Sequence, residues 1–307
     1  MTNLTNKNSN GGLVVKSNDL INASYNLGLV EQRLLLLSIV AARKMGTSIS
    51  PSTIFHIHAS EYIQRFNVDR SVAYRALSDG IKGIYDSEIR LASSNSKKRI
   101  NIRWCWKAEY DDENATVGIA FTEDVIPFIS ALEERFTSYD LEQITALTSK
   151  YAIRLYEMII SWRSTNKTQV YELEDFRNRL GLGVNEYKTM SNFNANVLNI
   201  AVQQINKFTD IKVTVNKHKK GVKISGFSFE ITQKKTSKLN DGIKFHKLTN
   251  QQVNMFGNQL SRLNELSYLA HQGESYDDLA IRIKEMLKDP LQQKQFIPHL
   301  KNLGFKG

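Results

Sequence analysis

A row of amide side chains recurs at helical spacing in the second half of the chain. Its members, spaced four, three and four residues apart, are Asn192, Asn196, Asn199 and Gln203. This spacing places the four side chains on one face of a helix. Asn and Gln amides can form paired hydrogen bonds with the exposed edge of adenine in the major groove. The row, with Asn194 beside it, therefore predicts a helix that contacts bases.

The opposite face of the same segment is apolar. Apolar side chains recur there at helical spacing: Phe193, Val197, Ala201, Ile205 and Phe208. This stripe predicts that one side of the helix is buried. Ser191 is the predicted N-cap, because its hydroxyl can accept a hydrogen bond from a free backbone amide of the first turn.

A lysine-rich hairpin follows the helix. Residues 211–216 alternate between apolar and polar side chains, which predicts a strand, and residues 222–231 return as a second strand with a bulge at Gly226. The candidate phosphate ligands are Lys188, just before the helix, and the hairpin residues Lys217, Lys219, Lys220 and Lys223. A base-contacting helix followed by a cationic hairpin is the outline of a winged helix. A solvated helix face and an ordinary turn would contain the same residue types.

A second candidate chemistry is metal-dependent DNA nicking. His56-Ile57-His58 has the His-hydrophobic-His spacing of rolling-circle nicking initiators, and Tyr74, or Tyr151 with Arg154, could supply the nucleophile. Three residues are a weak match, and alternate side chains of a short strand explain the two histidines equally well. The sequence has no phosphate-binding loop, no dinucleotide fingerprint and no CxxC pair. We therefore expect no catalytic residue, no metal and no cofactor.

The same order of elements is predicted earlier in the chain. A long helix, a short strand, a short helix, a helix with an outward polar row and a hairpin follow one another in both halves. The earlier row is Ser71, Arg75, Ser78 and Lys82, and the earlier hairpin connection ends in Lys97, Lys98 and Arg99. Two copies of one supersecondary unit favour a binding function more strongly than either copy alone.

The charge balance favours a polyanionic partner. The 307 residues carry a net charge of +10, and residues 205–247 hold 11 lysines against 3 acidic residues. Double-stranded DNA is the expected partner. The single cysteine, Cys105, excludes an internal disulfide, and no apolar run is long enough to span a bilayer. We expect a cytoplasmic protein that has no membrane partner.

The predicted fold class is α+β, with two tandem winged-helix domains and a helical C-terminal extension. We expect a disordered N-terminus at residues 1–12, a first domain at residues 13–135 and a second domain at residues 136–232. Residues 233–307 form a basic linker and a helical extension that is too small for a large core of its own. Residues 123–135 are predicted to form a helix at the joint between the two domains.

The chain resembles plasmid replication initiators of the Rep_3 type. The matching stretches are LVVKSNDLINASYNLGLVEQRLLLLSIVAAR, YAIRLYEMIISW, DFRNRLG and GFSFEI, in that order. The resemblance implies that the second domain binds directly repeated origin sites (iterons). It also implies that the first domain adds DNA contacts and mediates dimerisation, which we place in residues 13–44, and that dimers repress their own gene. The host replication initiator, helicase and chaperones are the further partners that it suggests.

The chain departs from the family after Phe193. Many members carry arginines there, whereas this chain has Asn194, Ala195 and Asn196. We therefore expect the amides to contact bases and the hairpin lysines to supply most of the salt-dependent affinity. A transcriptional regulator that uses the same winged helices is the remaining alternative.

Overall fold

The structure is a computed structural model that describes residues 12–45, 49–91, 100–130, 135–234, 246, 248–269 and 274–305. The chain divides after Lys234 into two compact units. The first unit contains both predicted winged-helix domains, and the second contains the C-terminal extension. No helix in the described part of the chain is long and apolar enough to cross a membrane.

The first domain begins with a strand and a short helix. Its helices are α1 (Asn18–Asn22), α2 (Leu29–Met45), α3 (Ala59–Phe66), α4 (Arg70–Asp86) and α5 (Ile126–Ile129). Its strands are β1 (Leu13–Ser17), β2 (Phe55–His58), β3 (Glu88–Leu91), β4 (Ile100–Arg103), β5 (Cys105–Asp111) and β6 (Thr116–Phe121). The helix expected over residues 123–135 is reduced to α5 within the described residues.

The second domain has the predicted order. Its helices are α6 (Glu142–Thr145), α7 (Lys150–Ile160), α8 (Leu173–Arg179), α9 (Met190–Phe193) and α10 (Asn199–Phe208), and a π-helical turn (Asn194–Leu198) joins the last two. Its strands are β7 (Phe136–Asp140), β8 (Tyr171–Glu172), β9 (Ile211–Lys220) and β10 (Lys223–Gln233). Strands β8, β10 and β9 pair in that order as one antiparallel sheet.

The two domains share the predicted order of elements but differ in strand pairing. In the second domain the short strand β8 pairs with the hairpin strand β10. In the first domain the hairpin strands β3 and β4 form their own two-stranded sheet, while β2 pairs with β6 in a sheet ordered β2, β6, β5. The predicted order of helices and strands is therefore confirmed. Which strands pair with one another depends on tertiary contacts.

The two winged-helix domains are packed around a single core. Strand β1 of the first domain pairs antiparallel with β7, and one continuous hydrophobic cluster includes residues from α2, α7 and the β9–β10 sheet. Helix α2 is buried from Gln32 to Val40. In this conformation the edge of β1 and most apolar side chains of α2 are used within one chain. Dimerisation through the first domain stays a prediction.

A buried ionic network joins the first residues of the chain to α7. Glu157 on α7 accepts hydrogen bonds from Lys16 Nζ at 2.6 Å, from Tyr139 Oη at 2.7 Å and from Arg154 Nη1 at 3.0 Å. Lys16, Arg154 and Glu157 are each at most 2% exposed. Arg154 Nη2 also donates to the carbonyl oxygens of Ile21 and Ala23 in the first domain. The network therefore lies inside the hydrophobic core that residues 14–25 share with α7.

The C-terminal unit has a small core of its own, separate from the large core of the two winged-helix domains. It contains α11 (Asn250–Leu260), a 3₁₀ helix (Asn264–Leu269), α12 (Tyr276–Lys288) and α13 (Pro290–Asn302). The core side chains are Phe256, Leu260, Leu266, Leu279, Ile283, Leu287, Phe296 and Leu300. Ser275 caps α12 through the backbone amide of Asp278. Three amphipathic helices suffice here because each contributes a narrow apolar stripe to a common centre.

Candidate nucleic-acid interface

The predicted base-contacting helix is continuous from Met190 to Phe208 and contains one π-helical turn. We call α9, the π turn and α10 together the reading helix. Its N-cap is Thr189, whose Oγ1 accepts from the backbone amide of Asn192 at 3.3 Å, so the prediction that Ser191 is the cap was wrong by two residues. The π turn spans Asn194–Leu198 and inserts one residue into the helical repeat. With this insertion both Val197 and Leu198 are buried, while the amide row stays exposed.

The amide row lies on the exposed face of the reading helix. The exposed members are Asn192, Asn196, Asn199 and Gln203. The Asn196 side chain is exposed and donates from Nδ2 to the carbonyl oxygen of Asn192 at 3.1 Å. Asn194 differs from the row, because its Oδ1 atom is buried. Asn194 therefore cannot form the expected paired hydrogen bonds with adenine in this conformation.

The buried face of the reading helix packs on an aromatic cluster. Phe176 of α8 contacts the rings of Phe193, Phe227 and Phe229 at centroid distances of 6.1, 5.5 and 5.5 Å. Phe193, Val197, Ala201 and Ile205 are buried as predicted, and Leu198 is buried in addition. Phe208 is 43% exposed, so its predicted place in the apolar stripe was wrong. The extra residue of the π turn shifts the helical phase, which brings Leu198 inward.

The lysine hairpin projects beyond the packed sheet. Lys217, Lys219, Lys220 and Lys223 are all exposed. Lys220 and Lys223 are direct cross-strand partners, and the register shift between Ile224 and Gly226 confirms the predicted bulge. Like charges placed opposite each other destabilise a hairpin on its own. A polyanion bound at the tip would remove that repulsion.

Two amide side chains of the reading helix have structural roles. Asn206 bonds both backbone groups of Val213, accepting from the N–H at 2.6 Å and donating to the carbonyl oxygen at 3.0 Å. Gln204 Oε1 accepts from the backbone amides of Thr148 and Ser149 at 2.9 and 3.1 Å, at the start of α7. The reading helix is thereby fixed both to the hairpin and to α7.

Asp210 fixes the junction between the reading helix and the hairpin. Its carboxylate accepts from Tyr156 Oη at 3.1 Å, from Arg163 Nη2 at 3.0 Å and from Gln233 Nε2 at 3.1 Å. Its backbone amide donates to Gln143 Oε1 at 2.7 Å. Burial, together with the adjacent Asp210 carboxylate, holds the pKa of Tyr156 well above its ordinary value. Tyr156 thus stays a neutral hydrogen-bond donor to this junction.

The row predicted in the first domain also lies at the surface. Ser71, Arg75 and Lys82 of α4 are exposed, and Ser78 is half-buried. Asp69 caps this helix through the backbone amide of Ser71 at 2.7 Å. Lys97, Lys98 and Arg99, the predicted cationic end of the first hairpin, lie outside the described residues. Helix α4 therefore presents two cations and two hydroxyls at helical spacing.

Three residues of the nicking hypothesis, His58, Tyr151 and Arg154, have other roles in the structure. The half-buried Tyr74 accepts from Arg70 Nε at 3.1 Å, and His56 is exposed. His58 caps α3, because its Nδ1 accepts from the backbone amide of Ser60 at 3.1 Å. Tyr151 is 6% exposed and packs against Tyr187, and Arg154 belongs to the buried ionic network. Within the described residues, no group of three or more His, Cys, Asp or Glu side chains is placed to hold a metal ion.

The family comparison has one model for each winged-helix domain, and the first model extends through α7, beyond the expected boundary after residue 135. The family described as "Initiator Replication protein, WH1" matches residues 13–160, and "Initiator Rep protein, WH2" matches residues 172–246. The chain belongs to this family of replication initiators. The predicted resemblance and the predicted α+β fold with two tandem winged helices are thus confirmed.

Known initiators resemble the chain over most of its length. A replication initiation protein of Escherichia coli is 23% identical over 268 residues, which cover 85% of this chain and 81% of the relative. The PI protein of Escherichia coli is 26% identical over 210 residues, covering 58% of this chain and 68% of the relative. A crystal structure of the Pi initiator protein in complex with iteron DNA has a TM-score of 0.61 at 22% identity, covering 74% of this chain and 99% of that chain.

The sequence analysis of this initiator missed the side chains that hold the interface in place. Gln204, Asn206 and Asp210 fix the reading helix from its buried side and its end, and Arg177 holds the segment that precedes it. Arg177 does lie in the DFRNRLG stretch, which pointed to the family. Nothing in its spacing distinguishes it from an exposed arginine on a short helix.

Proposed function

We propose that this chain binds directly repeated duplex sites (iterons) at a plasmid origin and thereby initiates replication of that plasmid. One observation supports the proposal: hydrogen bonds of Asn206 and Asp210 fix the exposed amide row and the exposed lysine hairpin relative to each other. The amides supply contacts to base edges, and the lysines supply phosphate contacts. The Pi initiator protein, whose crystal structure contains iteron DNA, has the same fold.

The proposal divides recognition between two surfaces of the second domain. The exposed amides Asn192, Asn196, Asn199 and Gln203 face the major groove, while Lys188 and the hairpin lysines contact phosphates on either side. Helix α4 adds contacts from Ser71, Arg75 and Lys82. Because the two domains share one core, the two helices are presented as a unit to successive parts of the same duplex.

Two measurements test the proposal: replication of the plasmid with and without this gene, and binding of the purified chain to the repeats and to random duplex DNA. A plasmid whose copy of this gene is deleted should fail to replicate, and the full chain supplied from elsewhere should restore replication. The DNA beside the gene should carry tandem repeats that the purified chain binds more tightly than random duplex DNA. Continued replication of the deleted plasmid would instead favour a transcriptional regulator that uses the same winged helices.

Replacing Asn196 with alanine should weaken binding to the cognate repeat by about 1–3 kcal/mol and leave binding to random DNA nearly unchanged. The reason is that Asn196 lies in the middle of the exposed amide row and carries no formal charge. Fluorescence anisotropy on the two duplexes measures both values.

The matched control for Asn196→Ala is Asn254→Ala, which removes an exposed amide from α11 in the C-terminal unit. This control should bind both duplexes as the wild type does. Equal losses on the repeat and on random DNA in Asn196→Ala would show that this side chain does not contact bases.

We further propose that the chain acts by binding and breaks no bond in DNA. His58 serves as a helix cap, and Tyr151 and Arg154 lie in the protein interior, which supports this proposal. A second copy of the chain, the host replication initiator, the helicase and chaperones are the proposed partners in the bacterial cytoplasm. We propose that the second copy binds through the first domain and that the dimer represses the gene.

A further inference from the structure

The segment between α8 and the reading helix is held by side-chain contacts. Arg177 of α8 donates from Nη2 to the carbonyl oxygen of Glu186 at 2.5 Å and from Nη1 to that of Tyr187 at 3.1 Å. The Glu186 carboxylate turns back and accepts from the backbone amide of Gly183 at 2.9 Å and from Tyr151 Oη at 3.5 Å. Arg177 thus binds two consecutive peptide carbonyls just before the helix begins.

The backbone at the second of these carbonyls adopts an uncommon conformation. Tyr187 has a φ of +45°, in the left-handed region that a side chain other than glycine rarely adopts. Such a conformation persists where the surroundings hold it in place. Here the Arg177 hydrogen bond and the edge contact between the Tyr151 and Tyr187 rings, at 6.2 Å, provide that restraint. The next residue, Lys188, is exposed, and Thr189 caps the helix.

Arg177 also contacts the first turn of the reading helix. Its guanidinium lies over the ring of Phe193, 5.3 Å from the centroid, and Phe193 is fully buried. One side chain therefore fixes both the segment that carries Lys188 and the turn that carries Asn192. A lysine has one ammonium group and cannot reproduce two parallel hydrogen bonds together with a stacked plane.

We propose that Arg177 is a positioning residue for DNA recognition: it clamps residues 183–189 so that Lys188 reaches a phosphate and Asn192 reaches a base edge. The inference rests on the proposed DNA-binding function and deepens it. The two carbonyl hydrogen bonds and the Phe193 contact direct the half-buried guanidinium toward the protein, so its role is positioning.

The test measures binding of the full-length variants Arg177→Lys and Arg177→Gln to the tandem repeat beside the gene and to random duplex DNA. Both variants should lose roughly 10- to 100-fold in affinity for the repeat, because the phosphate contact of Lys188 and the base contact of Asn192 are weakened together. The slope of log K against log salt for binding of Arg177→Lys should also fall by about one unit. The net charge is unchanged, so the fall would reflect loss of the Lys188 contact with a phosphate.

A double-variant background separates positioning from direct contact. In a chain that already carries Lys188→Ala and Asn192→Ala, the Arg177→Lys change should cost less than about 3-fold, because residues that share one role are not additive. Arg43→Lys, at an exposed arginine of α2, is the matched control and should bind as the wild type does. Thermal melts of every variant establish that the compared proteins are folded.

Two results would overturn the assignment. One is wild-type affinity in Arg177→Lys, and the other is an equal loss in the single-variant and double-variant backgrounds, which would mean that Arg177 acts independently of Lys188 and Asn192. Failure of the proposed function itself has a different signature. In that case the wild-type chain would bind the repeat and random DNA equally.

Discussion

Replacing Glu157 with glutamine is expected to lower the free energy of unfolding by about 3–5 kcal/mol, the largest stability effect predicted for a single change in this chain. Glu157 is the only carboxylate in the described part of the buried network and balances both Lys16 and Arg154. The variant would leave two cations in the interior without a counter-charge. Denaturant unfolding, followed by circular dichroism, measures the loss.

A surface ion pair of the same length provides the matched control. Lys107 and Glu109 are also 2.6 Å apart, but their side chains are 40% and 35% exposed. Glu109→Gln should change the free energy of unfolding by about 1 kcal/mol or less, because water solvates both groups when the pair is broken. Similar losses in Glu157→Gln and Glu109→Gln would contradict the assignment of Glu157 to a buried, coupled network.

The same network predicts a dependence of stability on pH. Burial acts to raise the pKa of Glu157, but the adjacent Lys16 ammonium and Arg154 guanidinium outweigh it and hold that pKa below its ordinary value of 4.5. A carboxylate with a lowered pKa stabilises the folded state above its unfolded pKa, and this stabilisation is lost as the pH falls through the folded pKa. The difference in stability between the wild type and Glu157→Gln should therefore shrink below about pH 4.5.

Replacing Lys217, Lys219 and Lys220 together with alanine should weaken binding to cognate and random DNA alike. Each phosphate contact contributes about 0.9 to the slope of log K against log salt, so the slope should fall by roughly 2–3 units. At low salt this is the largest expected loss of affinity, because the three lysines lie together at the tip of one exposed hairpin. Anisotropy titrations over a range of salt concentrations measure the slope.

The control for the hairpin variant removes three exposed lysines elsewhere. Lys44, Lys288 and Lys301 are exposed and lie outside both the hairpin and the reading helix. Their replacement with alanine removes the same net charge and should leave the slope nearly unchanged. An unchanged slope in the hairpin variant would show that phosphate contacts are made by other cations.

Local patterns were sufficient to predict the elements of the interface. The helical period of Phe193, Val197 and Ala201 and the alternation after Ile211 are properties of neighbouring residues, so the helix, the hairpin and the Gly226 bulge could be predicted without the fold. The exposed amide row followed from the same periodicity. Net charge and its concentration in the second half are likewise properties of the sequence alone, and they indicate a polyanionic partner.

Tertiary contacts decided how those elements are held. Glu157 meets Lys16, 141 residues earlier in the chain, and Gln204 accepts from the backbone amides of Thr148 and Ser149, more than fifty residues earlier. The π turn and the inward Oδ1 of Asn194 depend on how the reading helix packs against the aromatic cluster. Spacing along the chain specifies which face of an element is apolar, because the backbone period is local. It does not specify which distant partner covers that face, because many partners satisfy the same pattern, and only the packed structure selects one.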